Sequence, residues 1–218
     1  MIGVIIALGN EAEYVIENMK VEDDYFLLGK RIFIGKFYDK DIVLCVSGVG
    51  KVNAGAAAML LAEKFKVDKL INFGLAGGVS GSVNVADIYS VYRAVQYDFD
   101  LAAVNNTEIG VLNEFNDKYI ELANDVDFGF KQATLATADR FNDDIDDYCF
   151  ITQNLSADLR DMEGGAIAQI AELANIPFYC IKTVSDVAGS NTATQYLDNA
   201  QSALDELCAE YEHIFELL

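Results

Sequence analysis

The 218-residue chain has one proline, one histidine and no tryptophan, and only 15 basic residues stand against 35 acidic ones. Each shortage excludes something. With His213 as the sole imidazole there is no histidine pair for a metal centre, so acid–base chemistry has to rest on carboxylates. The four cysteines, Cys45, Cys149, Cys180 and Cys208, form no close pair; neither a zinc spacing nor a disulfide framework is indicated, and they read as reduced core residues. A formal charge of -20 repels phosphate backbones and anionic lipid, which argues against nucleic acid and membranes as partners and for a neutral or cationic small molecule. No uninterrupted run of about 18 apolar residues occurs. The N-terminal "MIGVIIALGNEAEYV" has neither a basic region before its apolar run nor a small-residue cleavage site, so the expectation is a soluble, cytoplasmic protein.

What is present is apolar: 52% of the residues are hydrophobic, enough for one large core, and a single domain over 1–218 is expected, without internal repeats or linkers. Residues 2–8 read as a strand and 9–19 as an amphipathic helix. Two strands, 31–38 and 41–48, flank a turn at 38–41; an alanine-rich helix follows at 51–65, then a strand at 69–78 broken by glycines. Strands at 85–96 and 131–139 enclose a predicted helix at 112–125. A short strand near 157–162, a helix at 163–174, a strand at 177–184 and a last helix at about 194–217 complete the pattern. This alternation predicts an α/β domain with a central mixed, mostly parallel twisted sheet flanked by helices. In such sheets ligands gather beyond the carboxyl ends of the strands, where this chain carries Glu11, Gly48 and Val49, "GLAGG" at 74–78, and Asp186.

"GLAGG" lets backbone approach a ligand closely but lacks the lysine of a P-loop and the spacing of a dinucleotide fingerprint; a tight turn accounts for it equally well. "SGVGK" at 47–51 also reads as a strand-to-helix turn. In the helix from 162, Met162, Ala166, Ile167, Ile170, Ala171 and Ala174 form a core stripe. Glu163 at its start is favoured by the helix dipole, which is a sufficient structural reason for it. Gly164 and Gly165, however, each cost about 1 kcal/mol in a helix relative to alanine and imply that something comes close. Asp186 in "SDVAG" is readable as a turn or cap residue. Three carboxylates without histidine or metal, Glu11, Glu163 and Asp186, suit cleavage of a glycosidic bond: anions stabilise an oxocarbenium-like transition state, a protonated acid activates the leaving group, and a carboxylate orients water.

Seven segments in their order, "IGVIIALGNEAEYV", "SGVGKVNAGAAAMLL", "INFGLAGG", "YDFD" (97–100), "TADRF" (137–141), "DMEGGAIA" (161–168) and "KTVSDVAG" (182–189), make the chain resemble the 5'-methylthioadenosine/S-adenosylhomocysteine nucleosidases of the nucleoside phosphorylase superfamily almost end to end. The resemblance implies hydrolysis of the N-glycosidic bond of those nucleosides, and of 5'-deoxyadenosine, without cofactor or metal, in a homodimer. It further implies that Glu11 orients the attacking water, that Asp186, positioned by Ser185, protonates or hydrogen-bonds adenine N7, and that Glu163 holds the ribose hydroxyls. Phe141 would stack on adenine, the backbone at Asn142 would read the base edge, and Met162 would lie against the ribose. Leu8, Val49 and Tyr196 would surround the 5'-alkylthio group, joined by Leu101 and Val104 of the partner subunit. The chain departs from the family in four places. Leu75 replaces a serine or threonine in the substrate site, Lys182 a common arginine and Tyr97 a frequent histidine, and 105–112 aligns poorly. The alternatives that stay open are a phosphate-dependent phosphorylase, a futalosine-type hydrolase, and a non-catalytic nucleoside-binding or storage protein on the same fold.

Overall fold

The computed structural model describes residues 1–189 and 191–218. Its first strand, β1 (Ile2–Ile6), is apolar and buried along its whole length because it lies mid-sheet, parallel to both neighbours, with helices over both faces. Helix α1 (Gly9–Asn18) follows, then the antiparallel meander β2 (Lys20–Leu27), β3 (Lys30–Phe37) and β4 (Lys40–Val46). Helix α2 (Lys51–Lys64) returns the chain to β5 (Lys69–Gly78), and β6 (Ile88–Gln96), the short helix α3 (Ala102–Asn105), β7 (Ile120–Glu121) and β8 (Lys131–Thr137) come next. Helix α4 (Ile145–Leu155), β9 (Leu159–Asp161), α5 (Gly164–Ala174), β10 (Phe178–Val187), α6 (Thr192–Ala209) and α7 (Tyr211–Leu217) complete the chain.

The α/β class and the mixed sheet are as expected, and the ladders divide evenly between parallel and antiparallel. In addition the sheet closes on itself. β5 pairs with β9, β9 with β8, β8 with β6, β6 with β10, and β10 again with β5. Closure leaves those five strands without a free edge and brings the ends of β5, β9 and β10 together. Apolar cores fill both sides: α2 and α5 cover one, while α1, α6 and α7 cover the other through the ring cluster of Phe37, Phe73, Tyr211 and Phe215.

The predicted helix at 112–125 does not form. Leu112, Ile120 and Leu122 are buried, but as an irregular strap in which Ile120 and Glu121 pair with β6, and Asp117 accepts a hydrogen bond from the Tyr119 N–H. Asparagine and aspartate offer the backbone local turns that compete with a helix, and here they prevail. The helix expected at about 194–217 is two helices that meet at Glu210. Strand β2 and helix α4 have no counterpart among the predicted elements. Among the described residues, no helix is long and apolar enough to cross a membrane.

Candidate active site

Two local irregularities build the site. At the end of β10 the register against β5 shifts between Val184 and Asp186, so that Ser185 is the extra residue of a bulge. A bulge re-aims side chains, and here Ser185 and Asp186 are both buried, with the Ser185 hydroxyl donating to Asp186 Oδ1 at 2.8 Å. The second irregularity is the turn before α2. Gly50 has φ +96°, and a Cβ there would stand 2.9 Å from Asp139 Oδ1, so only glycine fits; its N–H donates to Glu163 Oε1 at 2.8 Å. The "SGVGK" segment is therefore both a strand-to-helix turn and a ligand of Glu163.

Gly164 and Gly165 do imply a close approach, and what approaches is strand β8. A Cβ on Gly165 would lie 2.9 Å from Thr137 Cβ, and one on Gly164 would collide with Leu135. The tight seating lets the Gly165 N–H donate to Thr137 Oγ1 (2.8 Å) while that hydroxyl donates to Asp161 Oδ1 (2.6 Å). Asp161 Oδ2 accepts from the Gly164 N–H at 2.8 Å and pairs with Lys182 Nζ at 3.0 Å. Gly77 in "GLAGG" has an equivalent role, since a Cβ there would stand 3.0 Å from Asp186 Oδ2 and 3.1 Å from Arg160 Nε.

These elements enclose a cavity of about 300 Å³, at the lower end of the usual range for small-molecule sites. Glu11, Glu163 and Asp186 line it together with Leu8, Val49, Leu75, Phe141, Met162, Ser185 and Tyr196. Asn142 does not reach the cavity wall: its side chain donates to Asp147 at 2.9 Å and its carbonyl accepts from the Tyr148 hydroxyl. Leu101 and Val104 stand away from the cavity, and Val104 is 80% exposed on α3. Tyr97, in place of a frequent histidine, donates its hydroxyl to the buried Asp147. The "YDFD" and "TADRF" segments meet at the turn before α2, where Lys51 pairs with Asp98 and its N–H donates to Asp139.

Burial shapes the electrostatics. It pushes the Glu11 carboxyl above its ordinary value, against the pull of Lys182 and of the Leu8 N–H, which donates at 3.3 Å. Burial and then the neighbouring Asp161 raise Glu163 to about 7. Asp186 is also raised by burial, in opposition to the Ser185 hydroxyl and the Arg160 guanidinium. For Lys182 burial favours the neutral amine, but Asp161 and Glu163 outweigh it and hold the ammonium charged. The cavity thus contains three carboxyls that burial pushes above their ordinary values, Glu163 to about 7, and beside them a fixed Lys182–Asp161 pair.

Sequence reasoning did not find Arg160 and Asp161. Arg160, on β9, is 5% exposed and lines the cavity beside Asp186, its guanidinium carbon 5.6 Å from the Phe141 ring centre and 4.5 Å from that of Tyr148. The available signal was an Arg-Asp pair directly before "MEGG" in a strand otherwise destined for the core.

The phosphorylase superfamily model matches residues 1–216. A 5'-methylthioadenosine/S-adenosylhomocysteine nucleosidase of Bacillus licheniformis is 35% identical over 184 residues, 77% of this chain and 79% of that protein. An aminodeoxyfutalosine nucleosidase of Campylobacter jejuni is 25% identical over 197 residues, 86% of each chain. The structure of an S-adenosylhomocysteine nucleosidase from Streptococcus pyogenes in complex with 5-methylthiotubericidin superposes with a TM-score of 0.91 at 26% identity, over all of this chain and 96% of that one.

Proposed function

Because this chain belongs to the phosphorylase superfamily, we infer that it is a hydrolase of the N-glycosidic bond of 5'-methylthioadenosine and S-adenosylhomocysteine, releasing adenine and the thioribose. The observation that carries this reading is the convergence of three buried carboxyls, Glu11, Glu163 and Asp186, on one small cavity with an aromatic ring at its mouth.

The physical chemistry of each group fits a step. As the base departs, electrons flow to its purine ring and N7 becomes basic; Asp186, whose carboxyl burial pushes above its ordinary value, is the group that donates there. Positive charge develops on the ribose carbon and ring oxygen and is stabilised by Glu11 and Glu163. Glu11 orients water toward that carbon and takes up its proton, and Glu163, fixed by the Gly50 N–H, accepts from the ribose hydroxyls. Phe141 and Tyr196, with ring centres 5.8 Å apart at 72°, offer one ring to the base and one to the 5' end. Leu75 adds apolar surface and leaves the anchoring of the water to Glu11.

Water rather than phosphate is the acceptor in this reading. Of the two arginines that line the cavity, Arg140 is paired with Asp147 at 2.7 Å and Arg160 stands at Asp186, while Lys182 is held by Asp161. A second reading, a nucleosidase of the aminodeoxyfutalosine type, is supported by the Campylobacter relative. We also assign the chain to a homodimer. Phe141 at 49% and Val104 at 80% exposure are large apolar groups that a second subunit would cover. Light scattering that finds only monomer at micromolar concentration would refute the dimer.

Product chromatography after incubation with 5'-methylthioadenosine, with and without phosphate, tests the function. Adenine with free methylthioribose at a phosphate-independent rate is expected. A sugar phosphate formed only with phosphate would move the chain to the phosphorylases, and no adenine would overturn the proposal.

A further inference from the structure

Two buried polar atoms on residues that line the cavity have no hydrogen-bond partner among the described residues, Arg160 Nη2 and Asp186 Oδ2, and they face each other only as a long ion pair at 3.9 Å. Part of the Arg160 head is engaged. Nη1 donates to Asn142 Oδ1 at 3.4 Å, and the guanidinium carbon lies 4.5 Å from the ring centre of Tyr148 and 5.6 Å from that of Phe141. Likewise Asp186 Oδ1 is taken by the Ser185 hydroxyl. A buried N–H and a buried carboxyl oxygen left open side by side are costly unless a ligand satisfies both. Gly77 keeps the space beside them free of any side chain.

The edge of a purine that carries N7 and the 6-substituent has two adjacent hydrogen-bonding groups. In a 6-oxopurine both are acceptors, whereas in a 6-aminopurine N7 accepts and the amino group donates. A protonated Asp186 and the charged Arg160 are two donors. They match the 6-oxo edge at both positions, Asp186 to N7 and Arg160 to the carbonyl oxygen. Against adenine, Arg160 faces another donor, and the amino group has to turn to other acceptors.

We propose that Arg160 is a specificity-determining residue of the base subsite, reading an acceptor at purine position 6, so that the cavity takes 6-oxopurine 5'-thionucleosides in addition to the 6-amino ones. This rests on the nucleosidase reading above. It also adds catalysis specific to that class, because the carbonyl oxygen gains negative charge as the base leaves, and a charged donor beside it stabilises that change.

The test compares kcat/KM for 5'-methylthioinosine and 5'-methylthioadenosine in the wild type, Arg160→Leu and Arg160→Lys, with thermal melts to establish folding. Cleavage of both substrates by the wild type is expected, together with a fall of roughly tenfold or more in the inosine-to-adenosine ratio for Arg160→Leu. Arg160→Lys, which keeps the charge without the planar fork, should fall between them. If Arg160→Leu does not fold, the Arg160→Lys ratio and the wild-type comparison still decide. A ratio that moves less than about twofold in every folded variant overturns the proposal, as does a wild type that cleaves the adenosine substrate and leaves the inosine one intact. A wild type that cleaves neither refutes the nucleosidase reading itself.

Discussion

Replacing Lys182 by methionine should expose how this cavity tolerates so many buried acids. The ammonium is fully enclosed, 3.0 Å from Asp161 Oδ2, and it lies in the field of Glu11 and Glu163. At an effective dielectric constant of about 20, a pair at that distance attracts by about 5 kcal/mol. Removing one partner of a buried pair typically costs about 3–5 kcal/mol, because the remaining charge is left without compensation. Asp161 keeps two donors, Thr137 Oγ1 and the Gly164 N–H, which argues for the lower half of that range. We therefore expect Lys182→Met to lose about 3 kcal/mol in urea denaturation at pH 7.5 and fixed protein concentration. The loss should shrink at pH 5. Lys182 lowers the pKa of both Glu11 and Glu163, so in its absence these carboxyls sit still higher, bind protons in the folded state, and relieve the charge imbalance as pH falls. Pairing the substitution with Asp161→Asn should recover at least half of the loss at pH 7.5. A loss under about 1 kcal/mol, or one that does not diminish between pH 7.5 and 5, would refute the reasoning.

Three further expectations address the same site. Glu163 titrates near 7 in the folded chain against 4.5 for an ordinary glutamate, a difference equivalent to about 3 kcal/mol. The folded state holds a proton that the unfolded state releases between those values, so wild-type stability should fall as pH rises from 4.5 to 7; Glu163→Gln should flatten that slope, and parallel urea-midpoint curves for the two proteins would contradict it. Gly165→Ala should push on Thr137 and, through it, on Asp161; overpacking costs about 1–3 kcal/mol and helix propensity returns about 1, so a lowered melting temperature and a reduced kcat are expected, while an unchanged or raised melting temperature would sink the argument. Glu11→Gln should abolish turnover while nucleoside binding, followed by calorimetry, persists; turnover within tenfold of wild type would take Glu11 out of the mechanism.

Local pattern was enough for much of the molecule. The apolar run of β1, the alanine-rich α2 and the helix–strand unit α5–β10 are visible because burial imposes continuous apolar runs on the inner strands and favours small or apolar residues on the helices. Glu11, Glu163 and Asp186 stand out because each is an acid set among apolar residues at the end of an element. Strand β2 was illegible for the opposite reason. It is an edge strand exposed along most of its length, so "KVEDDYFL" needs no alternation to pair with β3.

Composition, with a single histidine, left no histidine pair to work with, and the order of motifs pointed to the family. Tertiary structure alone decided what each acid feels. Sheet closure sets β9 beside β5 and so puts Arg160 next to Asp186, 26 residues apart in the chain but with the guanidinium and carboxyl 3.9 Å apart. Likewise Asp161 on β9 becomes the counterion of Lys182 on β10, 21 residues later in the chain and 3.0 Å away. A residue's type and neighbours in sequence carry its period and its propensity. Its pKa and its partners depend on burial and on charges from strands far away in the chain, and those exist only once the sheet has closed.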